Sequence, residues 1–150
     1  MHKIVRNILI LLTVIAIGYV LYNYEVVKVE GESMAPAMAS GDYAIAQKSS
    51  ENRQYHFNDI IVFEHDGKTL IKRVIATAGQ EVEISDNKVY IDNVEFVGGE
   101  CGDPCKNESY VLEDNEYFVM GDNITISTDS RYFGPIRKKN IRFEIVYYGF

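Results

Sequence analysis

The sequence predicts a mainly β protein, an antiparallel β-sheet domain preceded by one N-terminal transmembrane helix. Three observations lead there. Residues 7–24 form an 18-residue stretch without a charge, the only long apolar run in the chain. Beyond it, apolar residues recur with the period of two that turns one face of a strand toward a core. No stretch after residue 24 keeps helical periodicity over three turns.

As a helix, the uncharged run would be about 27 Å long, close to the roughly 30 Å hydrocarbon core of a bilayer. Lys3 and Arg6 precede it and Glu25 follows, so the bias of cations toward the cytoplasm places the N-terminus inside and the rest outside. The expected division is a short cytoplasmic segment 1–7, a transmembrane helix 8–24 and an extracytoplasmic domain 25–150. That describes a single-pass cell-membrane protein in contact with the lipid bilayer. A cleaved signal peptide shares the basic-then-apolar pattern. The first Ala-x-Ala triplets that could serve cleavage, Ala35-Pro36-Ala37 and Ala37-Met38-Ala39, lie well past the run, so an anchor fits better.

At 150 residues and 47% hydrophobic content, the chain has room for one domain with a real core. Its 15 Lys and Arg against 22 Asp and Glu exclude a nucleic-acid binder, which needs a basic surface. No internal repeat or low-complexity tract is present.

The strands follow in order. Val26, Val27 and Val29 make a short β-branched segment, and Tyr43-Ala44-Ile45-Ala46 follows Gly41-Asp42. Ile60-Ile61-Val62-Phe63 reads as a buried strand. The turn Asp66-Gly67 returns it into the segment from Thr69 to Ile75, so these two should pair. Val82, Ile84, Val89 and Ile91 alternate around Asp86-Asn87 as a second hairpin. Tyr117-Phe118-Val119-Met120 is a further strand, and the alternation of Ile141, Phe143, Ile145 and Tyr147 closes the chain.

Just past the apolar run stands Gly31-Glu32-Ser33-Met34-Ala35-Pro36. A serine hydroxyl is a weak nucleophile unless a neighbour takes its proton, so Ser33 needs a base. Alternation along the returning strand puts Leu70, Lys72 and Val74 on one face and Ile71, Arg73 and Ile75 on the other. An amine flanked by apolar residues is costly to charge, which lowers its pKa and frees it to accept a proton. Lys72 could serve Ser33 in this way. From composition alone, a lysine snorkelling from a strand edge is the commoner reading.

Four motifs bear on that choice. Gly31-x-Ser33-Met34-x-Pro36, Asp59-Ile60-Ile61-Val62-Phe63, Lys72-Arg73-Val74-Ile75 with Gly79, and Gly121-Asp122-Asn123 followed by Ser127-x-Asp129-Ser130-Arg131-x-x-Gly134 occur in that order. Together they resemble the type I signal peptidases, membrane proteases that remove signal peptides, and the resemblance spans the anchor and nearly all of the domain after it. It implies a signal-peptidase type of β domain with Ser33 and Lys72 as a catalytic dyad acting through an acyl-enzyme. It implies that Ser127 helps orient the lysine amine, and that Asp129 and Arg131 brace the site with Arg73 as a further partner of the aspartate. Met34, Leu70 and Ile71 become expected pocket walls for the small residues that family substrates carry before the cut. No metal or other cofactor is implied, and the partners are exported preproteins.

The chain departs from the family pattern at Ala37, Asn58, Thr77-Ala78 and Ile124, where the family has Thr, Gly, Leu-Pro and commonly Arg. Gly31 replaces a serine that in some relatives helps the oxyanion hole, which leaves the Ser33 N–H as the main donor there. A rival reading is a signal-peptidase-like accessory protein that binds exported subunits, for example of a pilus, without cutting them. Resemblance to self-cleaving Ser-Lys repressors is disfavoured by the anchor and the acidic charge.

Cys101 and Cys105 are the only cysteines and lie on the exported side, where such a pair is expected to form a disulfide pinning the loop of Gly98-Gly99 and Pro104. A metal site would need two more ligands, and His2, His56 and His65 are not at ligand spacing to the pair. As alternative bases, His56 lies in a polar loop and His65 abuts the Asp66-Gly67 turn, where it is expected to be solvent-exposed.

Overall fold

The computed structural model describes residues 2–101 and 105–149. The uncharged run lies within helix α1, His2–Asn23, whose 22 residues carry a most apolar window of mean hydropathy 2.3. None of its residues is buried against the rest of the chain. Strand β1, Tyr24–Lys28, begins at the next residue, so no linker separates helix and sheet. The Lys48 ammonium lies 5.4 Å from the centre of the Tyr22 ring and ties the helix end to the domain.

After β1 come β2 (Tyr43–Lys48), β3 (Ile60–His65) and β4 (Lys68–Ala76), then β5 (Glu81–Ser85), β6 (Lys88–Ile91), β7 (Val94–Glu95) and β8 (Glu108–Val111). β9 (Glu116–Met120), the one-turn helix α2 (Ser130–Phe133), β10 (Ile136–Arg137) and β11 (Ile141–Tyr148) complete the chain. A seven-stranded antiparallel sheet has the order β1-β2-β11-β3-β4-β9-β10, and a four-stranded one the order β7-β6-β5-β8. The chain is mainly antiparallel β, as its period-two patterning predicts. β3 and β4 pair with Ile61 opposite Lys72 and Phe63 opposite Leu70.

Turn chemistry explains the hairpins. Asp66 and Gly67 take φ of 48° and 72°, and Asp86 and Asn87 take 51° and 62°, the left-handed pair that a two-residue hairpin turn requires. Asp92 and Asn93 repeat the device at 51° and 65° between β6 and β7.

Three apolar clusters hold the sheets. One gathers Val29, Met34, Met38, Ala44, Ala46, Ile60, Val62 and Ile145, with Ile71 packed on it. A second contains Ile61, Phe63, Val74, Tyr117 and Val119, with Leu70 and Phe133 beside them. The third joins Ile75 and Phe118 to Val82, Ile84 and Val89 of the small sheet. Leu70 and Val74 thus share a cluster that Ile71 and Ile75 do not, as strand alternation requires.

Candidate active site

Ser33 sits in the loop between β1 and β2. The neck of that loop is closed by the Val29 N–H donating to the Asp42 carbonyl (2.8 Å) and the Gly41 N–H to the Val29 carbonyl (2.9 Å). Met34 and Met38, 1% and 0% exposed, sink into the core and fasten the segment from below. Gly31 has φ of 83°, a backbone that L side chains rarely adopt, so the turn into the serine suits glycine. Ser33 itself is half-buried and lines a groove.

Lys72 lies on β4 and is 2% exposed, with Leu70 and Val74 to either side on its face. Its Nζ donates to Ser33 Oγ at 2.6 Å, across 39 residues of chain. Burial pushes the lysine pKa below its ordinary value. The carboxylates of Asp129 and Asp122 pull it part of the way back, and the Arg131 guanidinium pushes it down further.

Residues 121–123 form a strap that holds serine and lysine together. The Asn123 N–H donates to the Ser33 carbonyl (3.0 Å) and the Gly121 N–H to Asp129 Oδ2 (2.9 Å). A Cβ on Gly121 would collide with the Ser127 hydroxyl and the Ser33 carbonyl, so only glycine fits that gap. Ser127 is 3% exposed, and its Oγ has no hydrogen-bond partner among the described residues. It makes no bond to Lys72 Nζ, which is engaged by Ser33.

Asp129 caps α2 and is buried with Arg131. Its Oδ1 accepts from Arg131 Nε (2.8 Å) and its Oδ2 from Arg131 Nη2 (2.8 Å). Arg131 also donates to the carbonyls of Ile124 (3.2 Å), Ser127 (3.4 Å) and Glu100. This pair braces the loop that carries Ser127.

Arg73 corrects one expectation. It does not pair with Asp129; its Nε and Nη2 reach Asp122 Oδ1 and Oδ2 at 2.8 and 2.6 Å, a bidentate fork. The cause is register. β4 pairs with β9 with Arg73 opposite Met120, so the carboxylate two residues beyond Met120 falls on the arginine's side of the sheet. Asp129 is already saturated by Arg131 and Gly121. Asp122, Asn123 and Gly121 are thus site residues that pattern reading named only as part of a motif.

A groove of about 360 Å³ runs up to the pair, lined by Val27, Val29, Met34, Val62, Leu70 and Ile71 among others. All three expected pocket walls line it together with Ser33 and Lys72. A larger depression of about 820 Å³ between Ser49 and Arg142 holds neither residue. Its size reflects an open surface, and the groove is where the chemistry converges. His56 and His65 take no part in the pair. His56 is exposed beside Asp59, and His65, expected in solvent, stacks on Phe133 at 4.1 Å between ring centres because α2 packs over that hairpin end.

Cys101 and Cys105 are joined by a disulfide with Cα atoms 5.8 Å apart; Gly102, Asp103 and Pro104 lie outside the described residues. The Cys105 sulfur lies 3.5 Å from the Arg131 carbonyl, so this bridge borders the bracing pair. Among the described residues no group of three or more His, Cys, Asp and Glu side chains is placed to hold a metal ion.

Residues 1–148 match the family model described as signal peptidase, peptidase S26. Signal peptidase I V of Bacillus subtilis (strain 168) is 35% identical over 137 residues, 76% of this chain and 79% of that protein. A probable signal peptidase I-1 of Synechocystis sp. is 35% identical over 140 residues, 75% of this chain but 64% of its own length. A probable chloroplast thylakoidal processing peptidase 2 of Arabidopsis thaliana is 33% identical over 132 residues, 73% of this chain and 33% of that protein. A crystal structure of a signal peptidase I from Enterococcus faecalis V583 aligns with TM-score 0.45 and 25% identity, covering 59% of this chain and 94% of that one. With the family model matching from the apolar helix through the last strand, the chain belongs to the signal peptidase family, peptidase S26, and is a serine endopeptidase of that family.

Proposed function

We propose that this protein cuts signal peptides from exported preproteins, with Ser33 as nucleophile and Lys72 as general base. The observation that carries the reading is the 2.6 Å contact between Lys72 Nζ and Ser33 Oγ at a lysine that burial has made easier to deprotonate. With the amine neutral, the hydroxyl donates across that contact and Oγ attacks the scissile carbonyl while its proton passes to Nζ. The tetrahedral intermediate collapses as Nζ protonates the leaving amine, which leaves an ester on Ser33. Water then gives its proton to Nζ, attacks the ester, and the acid departs as Ser33 regains a proton. The Ser33 N–H donates to no acceptor among the described residues, so it is free to meet the oxyanion.

The groove lined by Met34, Leu70 and Ile71 would take the residues before the cut as an extended strand, its narrow apolar walls suiting small side chains. Ser33 is nine residues past Tyr24, at most ~32 Å of extended chain, so the site stays near a bilayer that α1 spans. The test is incubation of the detergent-solubilised protein with a preprotein, beside Ser33→Ala. Cleavage by the native protein and none by the variant is expected. Persistent cleavage by the variant would remove Ser33 from the mechanism, and a native protein that binds without cutting would favour the accessory reading.

Anchoring through α1 with Lys3 and Arg6 on the cytoplasmic side completes the reading. Carbonate washing should leave the protein in the membrane, with detergent required to extract it. Protease added outside spheroplasts should digest the chain beyond Tyr24. Release by carbonate alone would sink the anchor.

A further inference from the structure

One wall of the substrate groove is an open strand edge that carries two charges without partners. β1 is the outermost strand of the seven-stranded sheet and pairs only with β2. Residues 27–31 line the groove without a gap, facing 69–72 of β4 across it. A strand seen by its face would offer every second residue, so the unbroken run means that the groove lies along the edge. At Val29 both backbone groups bond toward β2, the N–H to the Asp42 carbonyl and the carbonyl to the Gly41 N–H. Those of Lys28 and Glu30 therefore point the other way, into the groove, where an added strand can bond to them.

Side chains sort by the same alternation. Val27 and Val29 pack in the core cluster that holds Met34, and Val27 stands opposite the fully buried Ala44. Lys28 stands opposite Tyr43, 48% exposed, on the outer face, and Glu30 falls on that face two residues on. Both are exposed, and neither is in an ion pair among the described residues. A substrate strand beside β1 alternates likewise. Its small side chains meet the apolar walls, and those between them lie next to Lys28 and Glu30.

We propose that Glu30 and Lys28 read the charge of two outward side chains of the substrate strand: Glu30 favours a basic residue at the one nearer the cut, and Lys28 an acidic residue two positions farther back. The proposal rests on Ser33 as nucleophile and on the groove as the place of the residues before the cut. Ser33 is three residues beyond Glu30 and five beyond Lys28, so a chain that acylates Ser33 and runs back along β1 passes Glu30 first. Cross-strand neighbours lie about 5 Å apart, where an opposite-charge pair is favourable and a like-charge pair is not. The opposed signs distinguish this from the net charge of -7, which would favour a basic residue at every position.

The test uses the full chain in detergent and a preprotein varied singly to lysine or glutamate at each of the five positions before the cut. At one position kcat/KM should favour lysine by about fivefold at low salt, the scale of an attractive against a repulsive cross-strand pair. Two positions farther from the cut, glutamate should be favoured by a similar factor. Glu30→Gln should bring the first ratio close to one and leave the second in place, and Lys28→Gln the reverse. Each ratio is taken within one variant, so a change in overall rate does not enter it. Ser33-dependent cleavage with no preference of either sign overturns the charge reading and leaves the dyad standing; the two charges then only keep the open edge from pairing with other chains. Preferences that survive the glutamine variants overturn it too, as do a lysine preference at every cleaved position and a block by both charges at all five. Absence of Ser33-dependent cleavage by the native chain overturns dyad and charge reading together.

Discussion

Lys72→Met is expected to leave a folded protein whose cleavage of a preprotein falls by about a thousandfold, the scale of a lost general base. Methionine keeps the unbranched stem of the side chain without its terminal nitrogen and suits the surroundings of Leu70, Val74 and Ile61, so the sheet around it should be undisturbed. Lys72→Arg should fail as fully. A guanidinium keeps the positive charge but does not deprotonate in any usable range, so it tests whether the amine acts as a base or as a fixed charge. Near-native turnover by a folded arginine variant would show that charge alone is needed, and would return His56 and His65 to consideration.

The pH dependence of the native protein has a definite sign. Burial lowers the Lys72 pKa from its ordinary 10.5, so activity should climb as pH rises through the lowered value and the amine becomes neutral. Stability shifts in the same direction. Between the lowered folded value and 10.5, the unfolded chain binds more protons at this residue than the folded one, so the contribution of Lys72 to stability rises with pH across that window. A rate that is flat with pH up to the range of a free lysine would contradict a buried neutral base.

The same physics explains what could be read ahead of the structure. Alternation is local, so Leu70 and Val74 already tell which face Lys72 shares and that the face is apolar; by itself it left a snorkelling lysine the commoner reading, and the four motifs in order made Lys72 the expected base. The hairpins at Asp66-Gly67 and Asp86-Asn87 were legible because their turn residues are among the few that take positive φ without strain. Asp92-Asn93 carries the same chemistry but leads into a strand of two residues, too short to alternate. β8, exposed at three of its four positions, has no buried face to announce it. The insertion of β11 between β2 and β3 was hidden because pairing across so many residues depends on which edges remain open after the hairpins form. The Arg73 partner was misassigned for a related reason. Two aspartates stand in the same motif, and only the register of β4 against β9 distinguishes them.

Asp129→Asn should cost more stability than any other change at the site outside the hydrophobic core, on the order of 3 kcal/mol, because it leaves the Arg131 guanidinium buried without a countercharge. Both side chains are fully buried, and the carboxylate accepts from two guanidinium nitrogens and from the backbone of Gly121 and Arg131. For a domain of this size the loss corresponds to a fall in melting temperature on the order of 10 °C. Asp122→Asn, in a pair whose side chains are 19% and 17% exposed, should cost distinctly less, since water can still reach the arginine it abandons. The two variants also separate bracing from chemistry. The Asp129 charge holds the Lys72 pKa up against burial, so its removal should lower that pKa again and move the rising limb of the pH–rate profile of the surviving folded protein toward lower pH. A variant that melts with the native protein would show that the buried pair does not brace the Ser127 loop, and one whose pH limb stays in place would show that it does not set the charge balance around the amine.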